Sequence, residues 1–221
     1  MADFETILAG VGVKVSAAAL DRAYDQSAST LGRVWARNRD VGVTEHVRAV
    51  LEQVDGRLPA RMPPDVMTAL IDAYSRPILL VPPTVDGGAR VALERLRAQG
   101  LTLAVISNTM RTPGRVLRQL LDRHGLLAAF AHATFSDEVG VRKPDPEIFA
   151  LTLRALGVES AAAVHVGDDA VLDVVGARNA GLRVIQVTSR ADNPREVQRP
   201  DAAISNLAGL PEAVMQLERT A

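Results

Sequence analysis

Three aspartates that follow one short apolar run could bind a divalent cation. Asp168 and Asp169 come directly after the apolar residues 162–166 and Gly167, and Asp173 lies one helical turn later. Apolar spacing changes across Gly167 from a continuous strand-like run to a helical period. The aspartates are therefore predicted at the carboxyl end of a β-strand, where open α/β sheets bind their ligands. Oxygen ligands at such a position are typical of Mg²⁺, which takes one or two carboxylates and keeps water and phosphate as its other ligands.

The three carboxylates have different expected roles. Asp168, first after the glycine, is the best candidate for a direct metal ligand. Asp173 falls in the first turn of the following helix and could orient a water, the metal or a lysine from outside the ligand set. Asp169 is the weakest candidate of the three. The alternative is a polar loop that binds no ligand, in which the aspartates are favoured by the dipole of the following helix. His165, in the preceding apolar run, is predicted to be a core residue.

Phosphate chemistry is suggested by a serine, an asparagine and a lysine elsewhere in the chain. Ser107 ends the apolar run LTLAVI, and its hydroxyl could bind phosphate together with the backbone N–H of Asn108. Lys143 lies between Arg142 and Pro144, and its ammonium could neutralise a phosphoryl group or the carboxylates. Ser107 and Lys143 are the candidate catalytic residues, although no histidine near Ser107 in sequence would make it a nucleophile. An ordinary strand end and a solvated surface lysine are the alternatives.

An all-helical unit is predicted before these motifs. Residues 1–15 have the pattern of a helix remnant leading into residues 16–80, where apolar residues recur at helical spacing. Ser16 is the predicted N-cap of the first helix and Thr44 that of the second. A third helix is predicted around Met67 and Tyr74.

Strands alternate with helices over residues 81–221. Predicted strands are LTLAVI, HATFS, the run before the aspartates, LRVIQVT and a last edge strand near residues 202–205. Helices are predicted to begin near Ala89, Thr112, Asp145 and Leu210. Strands that alternate with helices of about ten to fifteen residues predict right-handed βαβ units and a mostly parallel sheet.

Composition excludes several classes of function. The 221 residues carry a net charge of −1, from 25 basic and 26 acidic residues, so no global charge favours nucleic acid or an anionic membrane. The absence of cysteine excludes disulfides, thiolate metal sites and a cysteine nucleophile. No apolar run approaches the roughly 18 residues that span a bilayer, so a cytoplasmic protein is expected. The sequence makes no prediction about oligomeric state.

The order of these motifs resembles the haloacid dehalogenase-like (HAD) hydrolase superfamily. The strand ending at Ser107, the run KPDPEIF from Lys143 and the run HVGDDAVLDVVGARNAG from His165 are similar to its second, third and fourth motifs, and the resemblance covers residues 80–190. It implies a Rossmann-like α/β core over residues 81–221, with residues 16–80 as an inserted all-helical cap.

The resemblance also implies a reaction. Ser107 and Asn108 would hold phosphate, Lys143 would stabilise developing charge, Asp168 would bind Mg²⁺, and Asp169 or Asp173 would support the metal. The acidic fourth motif is similar to the phosphatases of the family rather than its metal-independent dehalogenases. The implied activity is Mg²⁺-dependent hydrolysis of a small phosphate ester. A non-catalytic protein that binds a phosphorylated ligand or acts as a scaffold is the alternative, and a 2-haloacid dehalogenase is a weaker one.

One departure from the family pattern affects this expectation. The first motif, a strand ending in Asp-x-Asp that supplies the nucleophile, has no counterpart, and only Met1 and Ala2 precede Asp3. By resemblance the missing strand would be central, between the strands ending at Ser107 and before Asp168. Three explanations are considered, in this order: a misassigned start codon or a fragment, a truncated pseudoenzyme, and a chain completed by a partner's strand. The chain as written is expected to be inactive, and an N-terminally extended version active.

Overall fold

The computed structural model describes residues 2–188 and 199–219, which divide between two compact units. The first, the helical unit, comprises residues 1–83 with segments 108–120 and 136–140, and the second, the α/β unit, comprises residues 84–107, 121–135 and 141–221. The domain boundaries predicted from the sequence, with residues 1–15 and 16–80 in one part and 81–221 in the other, stay predictions.

Helices and strands occupy most of the described chain. The α-helices are α1 (Ala2–Gly10), α2 (Ala17–Trp35), α3 (Val43–Val54), α4 (Leu58–Arg61), α5 (Pro64–Ser75), α6 (Pro77–Leu80), α7 (Ala89–Ala98), α8 (Gly114–Arg123), α9 (Ser136–Val139), α10 (Pro146–Leu156), α11 (Gly176–Asn179) and α12 (Leu210–Arg219). The strands are β1 (Ala104–Ser107), β2 (His132–Phe135), β3 (Val164–Gly167), β4 (Arg183–Val187) and β5 (Ala202–Ile204). A π-helical turn, Ala170–Val175, leads directly into α11.

The helical unit has its own apolar core, formed by residues of α1 to α5. The Ser16 hydroxyl accepts a hydrogen bond from the Ala19 N–H, so the predicted N-cap of α2 is confirmed. The prediction that Thr44 is the N-cap of α3 is wrong. The residue with extended backbone before that helix is Gly42, with φ −64° and ψ 158°, and Thr44 lies within the first turn. A capping residue needs this non-helical backbone conformation, so the cap position precedes Val43.

All strand pairs in the α/β unit are parallel, as predicted. β1 pairs with β2, with Ala104 opposite His132, and β4 lies between β3 and β5. The strands are shorter than the apolar runs suggested. β3 begins at Val164 because the preceding residues form a 3₁₀ turn, Ser160–Ala162.

Two apolar clusters cover opposite faces of the β-sheet layer. The α7/α12 cluster joins those helices to Ile185 of β4, and the α10/α11 cluster joins those helices to Val184 of the same strand. Consecutive side chains of a strand point to opposite faces, so these two neighbours place one helical layer on each side. The unit is therefore an α/β/α sandwich, the arrangement that a buried parallel sheet requires.

The strands of this sandwich form two ladders. Among the described residues, β1 and β2 make one two-stranded sheet, and β3, β4 and β5 make a three-stranded sheet. The sequence predicted a single, mostly parallel sheet. Parallel pairing of the strands is confirmed, but the strands form two separate sheets.

Candidate active site

The turn after β3 is built around the Asp169 carboxylate. Its Oδ1 accepts hydrogen bonds from the backbone N–H groups of Val171 at 2.8 Å and Leu172 at 2.7 Å. These N–H groups have no partner within the helix that they begin, so the aspartate caps its N-terminus. The Asp169 side chain thus fixes the direction in which the chain leaves the sheet.

Asp173 is the centre of a buried polar cluster. Its carboxylate is 3% exposed, and Oδ1 accepts hydrogen bonds from Lys143 Nζ at 2.5 Å and His165 Nε2 at 2.8 Å. Its other oxygen, Oδ2, accepts from the Asp169 N–H at 3.0 Å. A carboxylate only accepts, so the proton of the His165 ring lies on Nε2. Burial alone would raise the pKa of the Asp173 carboxyl, but the hydrogen bond from His165 and the charge of Lys143 outweigh it and hold the pKa well below its usual range.

Gly167 makes room for this cluster. A Cβ atom at this position would lie 2.2 Å from Asp173 Cγ and 2.5 Å from Oδ2. No side chain can occupy that space, so glycine at the end of β3 is required for the Asp173 carboxylate to reach the strand.

Replacing Gly167 by alanine is expected to destabilise the protein. The added methyl must displace the Asp173 carboxylate and its partners, which costs about 1–3 kcal/mol in a tightly packed interior. Urea denaturation measures the change, and Gly10→Ala is the control because nothing lies within 4 Å of its added Cβ. Equal effects of the two substitutions would contradict a steric requirement at Gly167.

Lys143 is held in one place by its surroundings. The Lys143 side chain is 12% exposed, which excludes the solvated surface lysine considered above. Asp145 begins α10 by accepting a hydrogen bond from the Glu147 N–H at 3.0 Å, which anchors the loop after the lysine. The loop also passes so close to the next helix that a Cβ on Gly176 would lie 2.9 Å from Pro144 Cα. Lys143 therefore presents a fixed ammonium group at the end of the sheet.

The predicted site residues are only partly brought together. Lys143, Asp169 and Asp173 are joined through the hydrogen bonds of the Asp173 carboxylate. Ser107 is the last residue of β1 in the same α/β unit, paired in register with Phe135, whereas Asn108 belongs to the helical unit. Their roles in binding phosphate stay predictions.

The three aspartates, whose roles as Mg²⁺ ligands stay predictions, lie in different surroundings. The Asp169 and Asp173 side chains are engaged in the contacts above, and the described part of the chain has no group of three acidic or histidine side chains arranged to hold a metal. Asp168 is exposed, and its backbone carbonyl accepts a bond from Gln186 Nε2 at 3.2 Å. A single carboxylate is within what Mg²⁺ accepts, because water and phosphate supply its other ligands.

His165 is the member of the cluster that the sequence did not assign to the site. The prediction of a buried core residue is confirmed, since His165 is 9% exposed and its ring packs edge-on to Phe149 at 5.1 Å. Its second contact, with Asp173, joins the core to the site. The sequence feature that could have assigned His165 to the site is its position two residues before Gly167, on the strand that Asp168 follows.

Comparisons with known proteins agree with this fold. The model of the haloacid dehalogenase-like hydrolase family matches residues 9–181. The chain belongs to the haloacid dehalogenase-like hydrolase family. This confirms the resemblance drawn from the motifs, and the HAD core with a helical cap as the fold class. Among the described residues, no helix is long and apolar enough to cross a membrane.

Named relatives include phosphatases and a dehalogenase. The chain is 32% identical over 191 residues to phosphoserine phosphatase of Thermus thermophilus, covering 81% of this chain and 72% of the relative. It is 37% identical over 100 residues to glyceraldehyde 3-phosphate phosphatase of Pyrococcus abyssi, covering 44% of this chain and 40% of that protein. A crystal structure of 2-haloacid dehalogenase from Pseudomonas syringae pv. tomato has a TM-score of 0.67 and 25% identity, covering 98% of this chain and 89% of that one. By family membership the protein is a HAD-type hydrolase, with relatives named as phosphatases.

Proposed function

We propose that the α/β unit serves the Mg²⁺-dependent hydrolysis of a small phosphate ester. The observation that carries the proposal is the buried Lys143–Asp173 pair at the end of the sheet. A fixed cation at this position favours a ligand that carries negative charge, and both curated relatives described above are named for phosphate esters. Phosphatase rather than dehalogenase activity is proposed because Asp168 offers an exposed carboxylate for a metal. Halide release from a 2-haloacid without metal would favour the dehalogenase.

In this proposal the residues of the chain bind and orient the phosphoryl group. The Lys143 ammonium pairs with phosphoryl oxygens and offsets the charge that develops on them as the ester bond breaks. Asp173 keeps that ammonium in position, and its contact with His165 limits its own movement. The Ser107 hydroxyl and the Asn108 N–H stay proposed hydrogen-bond donors to phosphate. Asp168 would hold Mg²⁺, which when bound supplies additional positive charge beside the phosphate.

A binding function without turnover is the second candidate. The 221 residues contain no Asp-x-Asp pair, which in the family pattern supplies the nucleophile. In this candidate Lys143, held in position by Asp173, and a Mg²⁺ ion on Asp168 would bind phosphate without attacking it. Phosphate binding is thus common to both candidates, and turnover distinguishes them.

Inorganic phosphate is expected to bind in the presence of Mg²⁺, and Asp168→Ala is expected to weaken the metal-dependent part of this binding. Loss of one ligand carboxylate commonly weakens a metal site about tenfold or more, because few protein ligands hold the ion. Isothermal titration with phosphate, with and without Mg²⁺, measures the effect. Asp122→Ala, which removes an exposed carboxylate on α8, is the matched control and should leave binding unchanged. Absence of phosphate binding to the unmodified chain would contradict both candidates.

A further inference from the structure

Asp40 is a buried carboxylate in the connection between α2 and α3 of the helical unit. It is 6% exposed, and its Oδ1 accepts hydrogen bonds from the Trp35 indole N–H at 3.0 Å and the Val41 N–H at 2.9 Å. Its Oδ2 accepts a hydrogen bond from the Ser136 hydroxyl at 2.5 Å. Both oxygens therefore act as acceptors, a role that a carboxylate fills and a neutral amide side chain does not.

Ser136 links this carboxylate to the loop that follows β1. Its side chain is completely buried, and its Oγ accepts a hydrogen bond from the Thr109 backbone N–H at 2.7 Å. The Thr109 hydroxyl lies 3.1 Å from the same oxygen. A serine hydroxyl has one proton, and Ser136 donates it to Asp40, so the Thr109 hydroxyl is the donor in this second contact. The Thr109 hydroxyl oxygen in turn accepts a hydrogen bond from the Asp137 N–H at 3.1 Å.

A backbone contact joins the same two segments of the helical unit. The Asp40 N–H donates to the Gly140 carbonyl at 3.0 Å, directly after α9, the helix that Ser136 begins. The Gly140 N–H donates to the Ser136 carbonyl at 2.8 Å. Main chain and side chain of Asp40 therefore contact both ends of α9, and the carboxylate cannot leave Ser136 without also straining the backbone pairing.

The hydrogen bond between Thr109 and Ser136 constrains the preceding residue. Thr109 is 2% exposed and directly follows Asn108. The peptide unit between these two residues is planar, so a fixed Thr109 N–H also fixes the Asn108 carbonyl and Cα. A buried N–H without an acceptor is costly, so this orientation of the peptide unit depends on the oxygen of Ser136.

We propose that Asp40 is a positioning residue for the loop after β1 and acts on it through Ser136 and Thr109. The inference rests on the proposed function, in which the Asn108 N–H binds phosphate. The carboxylate fixes the Ser136 hydroxyl, which fixes the Thr109 N–H. The planar peptide unit then keeps Asn108 in one orientation. Donors that are already ordered bind an anion better than mobile ones, because less conformational freedom is lost on binding.

Two single variants of the full chain test this role. Asp40→Asn keeps the size of the side chain but replaces one of the two accepting oxygens by an NH₂ donor, and Ser136→Ala removes the middle link. We expect each variant to speed hydrogen exchange of the Thr109 amide, and to weaken the binding of inorganic phosphate with Mg²⁺, by roughly threefold to tenfold, the effect of one hydrogen bond. Residue-resolved hydrogen exchange and isothermal titration measure the two effects.

Asp55→Asn is the matched control. Asp55 is an exposed aspartate of the helical unit that accepts a hydrogen bond from the Arg57 N–H at 2.9 Å. Its replacement should change neither the exchange of the Thr109 amide nor the affinity for phosphate. An equal effect of Asp55→Asn and Asp40→Asn would overturn the proposal.

The double variant shows whether Asp40 acts through Ser136. Once Ser136 is replaced by alanine, Asp40→Asn has no further link to the loop, so the double variant should match Ser136→Ala within about twofold. Single effects that multiply in the double variant would mean that Asp40 acts by another route, and they would overturn the proposal. Unchanged exchange of the Thr109 amide in both single variants would overturn it as well.

Ser136→Ala also keeps the proposal testable if Asp40→Asn does not fold. The N–H resonance of Trp35, the only tryptophan of the chain, should shift in this variant, because its acceptor Asp40 loses the hydrogen bond from Ser136. An unmoved indole resonance together with unchanged exchange of the Thr109 amide would overturn the proposal.

The two measurements distinguish this inference from the proposed function. If the unmodified chain binds no phosphate, the proposed function fails, whereas faster exchange of the Thr109 amide in Asp40→Asn still supports a positioning role in the loop. Faster exchange with an unchanged affinity for phosphate would show that the order of the loop does not serve phosphate binding, and it would overturn the inference while leaving the proposed function intact.

Discussion

Asp173→Ala is expected to lower the free energy of unfolding by about 3–5 kcal/mol, because it removes one partner of a buried ion pair. The Lys143 ammonium, 12% exposed, loses the carboxylate oxygen at 2.5 Å, and the His165 ring loses its acceptor at 2.8 Å. Desolvated charges and donors are costly when their partner is removed alone. Urea denaturation at neutral pH measures the loss.

Two further variants show whether the loss comes from the buried pair. The double variant Lys143→Met and Asp173→Leu removes both charges and keeps apolar volume, so it should recover part of the stability that Asp173→Ala loses. Glu147→Gln removes the negative charge of the exposed ion pair with Arg154, at 2.7 Å, and should cost less than about 1 kcal/mol. If Asp173→Ala costs no more than Glu147→Gln, the cluster does not hold Lys143 in place.

Local sequence patterns were sufficient to predict most of the elements. The N-cap at Ser16 and the start of a helix at Asp145 are confirmed, because a side chain that accepts a hydrogen bond from an N–H two or three residues later needs no distant partner. The parallel strands follow from short apolar runs that alternate with helices. Thr44 was wrong because Gly42, which has no side-chain acceptor, also adopts the extended conformation of a cap.

Contacts between distant residues could not be predicted in the same way. The sequence predicted that Asp173 could orient a lysine, but it gives no sign of a 2.5 Å contact with Lys143, which precedes Asp173 by 30 positions. Within the helical unit, buried Asp40 accepts a hydrogen bond from Ser136 at 2.5 Å, 96 residues away, and another from Trp35 at 3.0 Å. Neither partner of such a pair has a distinctive local pattern, because the tertiary fold alone brings them together. The separation of the strands into two sheets likewise depends on which strands lie side by side in the folded chain.

The 221 residues alone are expected to release no phosphate from an aryl phosphate above the rate of a protein-free blank. In the proposed function Lys143 and a Mg²⁺ ion on Asp168 would bind the phosphoryl group, but neither residue would attack phosphorus, and no Asp-x-Asp pair occurs in the chain to do so. Loss of a covalent nucleophile commonly lowers the turnover number on the order of a million-fold, and the charges that remain do not compensate for it. Nitrophenol release from p-nitrophenyl phosphate with Mg²⁺ measures this rate, on protein that has first been shown to bind inorganic phosphate.

Two single-residue variants show whether any observed turnover arises at the proposed site. Turnover that persists in both Lys143→Met and Asp168→Ala arises outside the proposed site, because neither its cation nor its exposed carboxylate contributes. Turnover that both substitutions abolish would contradict the prediction, since a nucleophile would then have to lie within these residues and act beside Lys143. Phosphate binding without turnover is the expected result. It would mean that Lys143, Asp173 and Asp168 form a site for charge stabilisation, and that the attacking group is not among the residues of this chain.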